Sequence, residues 1–165
     1  MSEIATYERS FDMIIVGGGA CGLSAAVEAG ENGLNVVVIE KRHSAGGNAV
    51  FADGMLAAGS HIQKKQLLDV PPDEIVKFAM DYSHQSLNAR LLRVFVDKTA
   101  DNIRWLEDKG IKFHVDPYIP GQVYQTYHIP EGRMKQVMLT LKRQLVEMNV
   151  PVITDTEVTK IMKNE

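Results

Sequence analysis

The chain has 165 residues, 45% of them hydrophobic and 24% charged, and a formal net charge of −3, which together predict a folded domain with a hydrophobic core. The weak acidity argues against a nucleic-acid partner, and no apolar run approaches the roughly 20 residues that span a bilayer. The single cysteine, Cys21, excludes an internal disulfide, and the polar N-terminus lacks a secretory signal, so we expect a cytoplasmic protein without a transmembrane segment.

A β-α-β unit is predicted over residues 12–40. Asp12–Val16 and Asn35–Ile39 are short β-branched runs, which predict buried strands. Ala20–Asn32 between them is rich in alanine, leucine and glutamate and predicts a helix, and Gly33 follows where a C-terminal cap belongs. Because the second run is continuously apolar, we expect a parallel sheet covered on both faces.

The rest of the chain predicts a loop, a helical excursion over residues 72–110, a further helix and a strand pair. The loop, residues 43–60, is rich in glycine and small residues. The excursion holds helices at Glu74–Ser83 and Ala89–Lys109, with core faces formed by Ile75, Phe78, Ala79 and Tyr82 and by Leu92, Phe95, Val96, Thr99, Ile103 and Leu106. The later predictions are a half-exposed strand at Ile111–Val115, a loop over 116–130, a helix over 132–149, and a strand pair over 150–162 made of Val150–Thr154 and Glu157–Met162.

The sequence IIVGGGACGLSAA contains the pattern G-x-G-x-x-G at Gly17, Gly19 and Gly22. It follows a predicted strand, opens a predicted helix and is followed by the acid Glu40 after the second strand, as in dinucleotide-binding folds. Gly17 permits the turn, Gly19 lets a diphosphate approach the backbone, and Gly22 lets the helix lie close to the sheet. Glu40 can accept the ribose hydroxyls and disfavours NADP. The alternative is a structural glycine turn, and the pattern leaves FAD and NAD open.

The segment KRHSAGGNAVFADGMLAAGS, residues 41–60, resembles the flavoprotein subunit of the fumarate reductase/succinate dehydrogenase family, most of all the soluble flavocytochrome-type fumarate reductases. The resemblance continues through the helix ending in WLEDKG and through PVITDTEVTKIMKN. It implies FAD and an α/β, Rossmann-like FAD/NAD(P)-binding fold of the glutathione reductase type, truncated and with a helical insertion. The expected cofactor-binding residues are Gly17, Gly19, Ala20, Cys21, Gly22, Glu40, Lys41, Arg42, Gly46, Gly47, Asn48, Ala49, Gly54, Met55 and Val158.

Within this resemblance some positions depart from the family or stay ambiguous. Asp53 stands where relatives usually have glycine. Asn48 matches the histidine that bonds covalently to the flavin in membrane-bound relatives, which implies non-covalent FAD. Arg133 lies in a segment that is a glycine-rich loop near the flavin in relatives, and either has a site role or only starts a helix. His43 either contacts the FAD phosphates or is solvated, and Cys21 is either a redox thiol or a small residue near the diphosphate.

The resemblance implies an FAD-dependent oxidoreductase that transfers hydride between flavin and an activated carbon–carbon double bond. The family's catalytic residues lie further along its chain, in a capping domain and in the returning part of the FAD domain. We therefore expect an N-terminal fragment, inactive alone, without catalytic residues or a metal site. The substrate of the parent would be a small unsaturated acid or ketone, with a possible electron-transfer partner. The alternative is a non-catalytic nucleotide-binding or partner-binding module; an NAD-binding dehydrogenase domain would give the second glycine segment no role.

Overall fold

A computed structural model describes residues 9–116 and 123–163. The chain divides into two compact units, Met1–Ala49 with Met138–Glu165 and Val50–Val137. The elements in chain order are β1 (Met13–Val16), α1 (Ala20–Glu31), β2 (Val36–Ile39), a 3₁₀ turn (Gly47–Phe51), β3 (Met55–Leu56), α2 (His61–Lys65), α3 (Pro72–Tyr82), α4 (Ala89–Asp108), β4 (Phe113–Val115), β5 (Tyr127–Pro130), α5 (Arg133–Glu147) and β6 (Val152–Ile153).

The first unit is built on a parallel sheet in the order β1-β2-β6. The central strand β2 buries Val36, Val37 and Val38 almost completely. Helix α1 packs against β1 and β2 and buries Leu23 and Val27. The predicted α/β fold with a β-α-β start is therefore confirmed.

Strand β1 differs from the expectation of a buried strand. Ile14 and Val16 are 56% and 58% exposed, and Met13 is also exposed. The reason is that β1 lies at the edge of the sheet with β2 as its one neighbour, and no described segment covers its outer face. The prediction of a sheet covered on both faces is thus wrong for this strand.

The second unit contains an antiparallel sheet in the order β3-β5-β4. Its central strand, Tyr127–Pro130, lies inside the segment predicted as loop, so that prediction is wrong there. Pro130, which has no N–H to donate, is the last residue of this strand and lies opposite Phe113 of β4. Residues 117–122 of the same predicted loop lie outside the described residues. Strand β3 likewise interrupts the predicted loop over 43–60.

The helices of the second unit pack over a core of Ala58, Val70, Ile75 and Val96. Helices α3 and α4 lie close to their predicted positions, but α2 was not predicted. Parts of the predicted core faces are exposed instead, at Phe78 (47%), Tyr82 (80%) and Phe95 (51%). On α3 and α4, the helical periodicity predicted an apolar face that is wider than the part of it buried by other described residues.

The segment after α5 departs from the predicted strand pair. Strand β6 forms, but Glu157–Met162 makes no strand. A turn at Asp155, whose φ is +52, redirects the chain. The N–H groups of Asp155 and Thr156 donate to the carbonyls of Arg42 and Glu40, both at 3.1 Å. Beyond this turn, no described strand lies beside residues 157–162 to complete a ladder.

Candidate functional site

The turn between β1 and α1 requires its first and last glycines. Gly17 has a φ of +100, which side chains rarely adopt, and its N–H donates to the Ile39 carbonyl at 2.8 Å. A Cβ on Gly22 would lie 1.9 Å from the Gly17 carbonyl oxygen, far inside any tolerated contact. The chain can therefore enter α1 at this angle only with glycine at both positions.

Gly19 lies at the N-cap of α1 and borders open space. Among the described residues, a Cβ there would meet nothing within 4 Å and no side chain caps the helix. The first N–H groups of a helix have no partner inside it and carry partial positive charge. Ala20 and Cys21 belong to this first turn, and Cys21 is exposed. The open, uncapped helix end fits the diphosphate of a dinucleotide.

Glu40 is buried at the end of β2 and is held by two backbone donors. The Arg42 N–H donates to Oε1 at 2.8 Å and the Gly18 N–H donates to Oε2 at 2.7 Å. These two bonds, Arg42 first, lower the pKa of the Glu40 carboxyl, so it is an anion at neutral pH. Each carboxylate oxygen has more than one acceptor direction, which leaves capacity for the ribose hydroxyls. The neighbouring Lys41 and Arg42 are exposed.

Gly18 was missed by the sequence reasoning because the fingerprint leaves its position open. A Cβ on Gly18 would lie 2.9 Å from the Ala45 Cβ and 3.3 Å from the Glu40 Cβ. Its carbonyl accepts the Gly46 N–H at 2.7 Å. Gly18 thus links the fingerprint turn to the acid and to the second glycine segment. A third consecutive glycine was the signal that could have identified it.

The second glycine segment lies against the first within the same unit. A Cβ on Gly47 would approach the Gly19 Cα to 3.1 Å. Asn48 is exposed and Ala49 half-buried in the 3₁₀ turn that follows. The structure therefore brings together the fingerprint glycines, Glu40, Gly46 and Gly47, as the interpretation of a single binding site requires.

His43 and Val158 are two further residues of the first unit that the sequence suggested as cofactor contacts. His43 is exposed and its Nδ1 lies 3.0 Å from Oδ2 of Asp155, so it has a surface partner. Val158 is half-buried beyond the turn and belongs to no strand.

Gly54 and Met55 belong to the second unit. A Cβ on Gly54 would lie 2.4 Å from the His128 carbonyl oxygen, and Met55 pairs with His128 across β3 and β5. Gly54 therefore has a packing reason besides its predicted cofactor role. In the preceding residue, Asp53, the carboxylate forms an ion pair with Arg133.

A buried polar cluster in the second unit was also missed. His128 Nδ1 lies 2.9 Å from the Thr126 carbonyl and so carries the proton, which leaves Nε2 to accept from the Ser60 hydroxyl at 2.7 Å. Burial lowers the pKa of His128, which favours the neutral ring. Ser60 also caps α2 in a reciprocal capping box with Gln63, a pattern that its S-x-x-Q spacing could have revealed. Both Ser60 and His128 are fully buried, so the pair holds structure and does not face a ligand.

Over residues 9–116 and 123–163, no group of three or more histidine, cysteine, aspartate or glutamate side chains is arranged to hold a metal ion. Within those ranges, no helix combines the length and the apolarity that crossing a membrane requires.

Comparison with known proteins gives consistent matches. The model of the FAD binding domain family matches residues 12–165. Vinyl phenol reductase of Lactiplantibacillus plantarum is 33% identical over 150 residues, which cover 89% of this chain and 30% of that protein. NADH:fumarate oxidoreductase of Klebsiella pneumoniae is 29% identical over 93% of this chain and 17% of its own length. The open conformation of a flavocytochrome c3 fumarate reductase superposes with a TM-score of 0.85 and 25% identity, covering 93% of this chain and 28% of that one. The chain thus spans less than a third of each of these relatives.

Proposed function

The chain belongs to the FAD binding domain family of flavin-dependent reductases, and on that premise we propose which of its residues hold FAD and what the holoprotein does. The observation that supports the proposal most strongly is the open N-terminus of α1 at Gly19, with the anionic Glu40 bonded to the same turn. The diphosphate of FAD lies against the N–H groups of the first turn of α1, including those of Ala20 and Cys21. The Glu40 carboxylate accepts the ribose hydroxyls.

The remaining cofactor contacts are assigned from the family resemblance. Gly46, Gly47 and Ala49 line the diphosphate side of the site, beside Lys41 and Arg42 with their positive charge. The backbone of Val158 meets the adenine. Gly54 and Met55 lie along the isoalloxazine ring. Asn48 offers no nucleophile where membrane-bound relatives have histidine, so FAD is held without a covalent bond.

The reaction we propose for the whole protein is the reduction or formation of a carbon–carbon double bond activated by a neighbouring carboxylate, ketone or aromatic ring. The names of the matched relatives, a vinyl phenol reductase and fumarate reductases, support this class. When bound, the flavin supplies hydride transfer. This chain's residues bind and orient the cofactor, and we assign none of them a catalytic role. A small unsaturated acid, phenol or ketone is the substrate class, and an electron donor acts from outside this chain.

Titration of the chain with FAD, followed by quenching of flavin fluorescence and with ADP as competitor, tests the site. We expect binding that ADP displaces. Gly19→Ala adds a methyl group where the chain itself has room, so the variant should fold as the wild type does but bind FAD at least tenfold more weakly. Ser24→Ala, further along the same helix, is the matched control and should bind normally. Equal FAD affinity in Gly19→Ala and wild type would contradict the placement of the diphosphate. ADP binding without FAD binding would favour the nucleotide-binding module.

A further inference from the structure

The start of α5 holds an arginine in an unusual backbone conformation. Arg133 has a φ of +60 and follows Gly132, whose φ is +75. Of the six described non-glycine residues with positive φ, Arg133 alone belongs to a helix, as its first residue. The other five lie in turns or bends or just beyond helix ends, where the left-handed residues of a chain usually occur.

Two contacts tie this arginine and its neighbour to the loop before β3. Arg133 Nη1 donates to Oδ1 of Asp53, and the Met134 N–H donates to the Ala52 carbonyl at 3.3 Å. At the other end of the loop, Met55 is fixed in the sheet and Gly54 lies directly against the His128 carbonyl. The loop Ala52–Met55 is therefore held from both sides.

Stability does not account for the arginine. The side chains of Arg133 and Asp53 are 71% and 53% exposed, and ion pairs between exposed groups contribute little to stability. A left-handed backbone costs a residue with a Cβ more than such a pair usually contributes, because the Cβ lies too close to the following carbonyl oxygen. The pair therefore does not offset the strain with which Arg133 is held. Strained residues of this kind cluster at functional sites, where geometry matters more than stability.

We propose that Arg133 and Asp53 form a charged latch that positions the loop Ala52–Met55 and neutralises its acid. This inference rests on the proposed function, which places Gly54 and Met55 along the flavin. A carboxylate beside a flavin opposes the gain of negative charge on reduction and so lowers its reduction potential. Arg133 cancels the charge of Asp53 while the bond between them keeps the loop in place. Arg133 is thus a positioning residue.

The test measures FAD affinity and the reduction potential of the bound flavin in the chain loaded with FAD. Arg133→Gln leaves the carboxylate of Asp53 alone and should shift the potential negative. Asp53→Asn leaves the guanidinium alone and should shift it positive. Both should weaken FAD binding about tenfold because the latch is broken. The swap Asp53→Arg with Arg133→Asp restores the pair, places at position 133 a residue that tolerates positive φ, and should recover affinity to within about threefold.

The matched control is Arg104→Gln, which breaks a similarly exposed ion pair with Asp101 in α4 and should change neither quantity. If the pair only held the loop in place, both single variants would change FAD affinity in the same direction. Their reduction potentials would then not shift in opposite directions. If wild type binds FAD and both single variants keep its affinity and potential, the latch is overturned while the proposed function stands. If wild type does not bind FAD, the proposed function fails, and the latch fails with it.

Discussion

The two glycine-containing regions of the proposed site are held by different means. In the first unit, the turn Gly17–Gly22 is shaped by close backbone contacts that exclude side chains, above all at Gly22. In the second unit, the loop Ala52–Met55 is held by contacts to residues far along the chain: the side-chain pair of Asp53 with Arg133, the Met134 N–H that donates to the Ala52 carbonyl, and the pairing of Met55 with His128. The first kind of site is a local pattern of small residues, and the second joins residues far apart in the chain. The two regions should therefore respond differently to substitution.

The largest effect is expected from Gly22→Ala. Its Cβ would lie 1.9 Å from a backbone oxygen that cannot move without opening the turn, so the cost should exceed the roughly 1–3 kcal/mol usual for overpacking. Circular dichroism during urea unfolding should show the first unit destabilised or unfolded. Gly19→Ala, three positions away, is the control and should keep its native midpoint. A native midpoint in Gly22→Ala would show that the turn is not fixed by this contact.

Gly54→Ala tests the corresponding contact in the second unit. The added methyl would lie 2.4 Å from the His128 carbonyl, at the short edge strand β3, which can shift more easily than a helix. We expect a loss of about 1–3 kcal/mol. Trp105, the single tryptophan, lies in the second unit, so its fluorescence follows this unit. An unfolding curve by fluorescence that matches wild type would contradict the close packing of β3 on β5.

Glu40→Gln tests whether the first unit also depends on a side chain. Glutamine can accept at only one of the two positions, so its NH₂ would face either the Gly18 or the Arg42 N–H. An unsatisfied buried donor costs about 1–3 kcal/mol, and FAD affinity should fall as well. Urea unfolding and FAD titration measure the two effects, with the exposed Glu157→Gln as control. Because the pKa of Glu40 is lowered on folding, its contribution is complete at neutral pH and disappears as the pH falls into the acid range.

The smallest effect is the pH dependence due to His128. Burial lowers the pKa of this ring from its ordinary value near 6.5, so the unfolded chain takes up a proton more readily than the folded chain. The contribution is complete above pH 6.5 and decreases as the pH falls below it. The urea midpoint followed by Trp105 should be lower at pH 5 than at pH 7.5. His128→Asn should be less stable at pH 7.5 but show a smaller difference between the two pH values; an unchanged difference would assign the effect to another group.

The sequence predicted the first region well because its constraints are local. Gly17, Gly19, Gly22 and Glu40 follow from a spacing that depends on one strand, one turn and one helix, and the structure brings them together. Gly18 was not predicted as a site residue only because the fingerprint allows any residue at its position. The edge exposure of β1 could not follow from its own residues, since burial depends on what another segment places against it.

The second region was predicted poorly because its contacts are distant in sequence. Asp53 and Arg133 are 80 residues apart, and Ser60 and His128 are 68 apart. Nothing in either segment alone specifies its partner. The same limit explains β5, which forms a strand because it pairs with β3 and β4. It also explains the exposed Phe78 and Tyr82, because the periodicity of a helix predicts an apolar face but not the segment that packs against it.

The discontinuous first unit also sets an order of events during translation. Its sheet joins β2 to β6, and all of residues 50–137 are synthesised between these strands. At about 5–20 residues per second, that stretch takes a ribosome on the order of 4–18 s. Throughout this interval β1 is the only described strand that can pair with β2, while the inserted unit is synthesised as one continuous segment. The second unit is therefore the first whose residues have all been synthesised, and β2 gains its pairing with β6 only after that unit has been made.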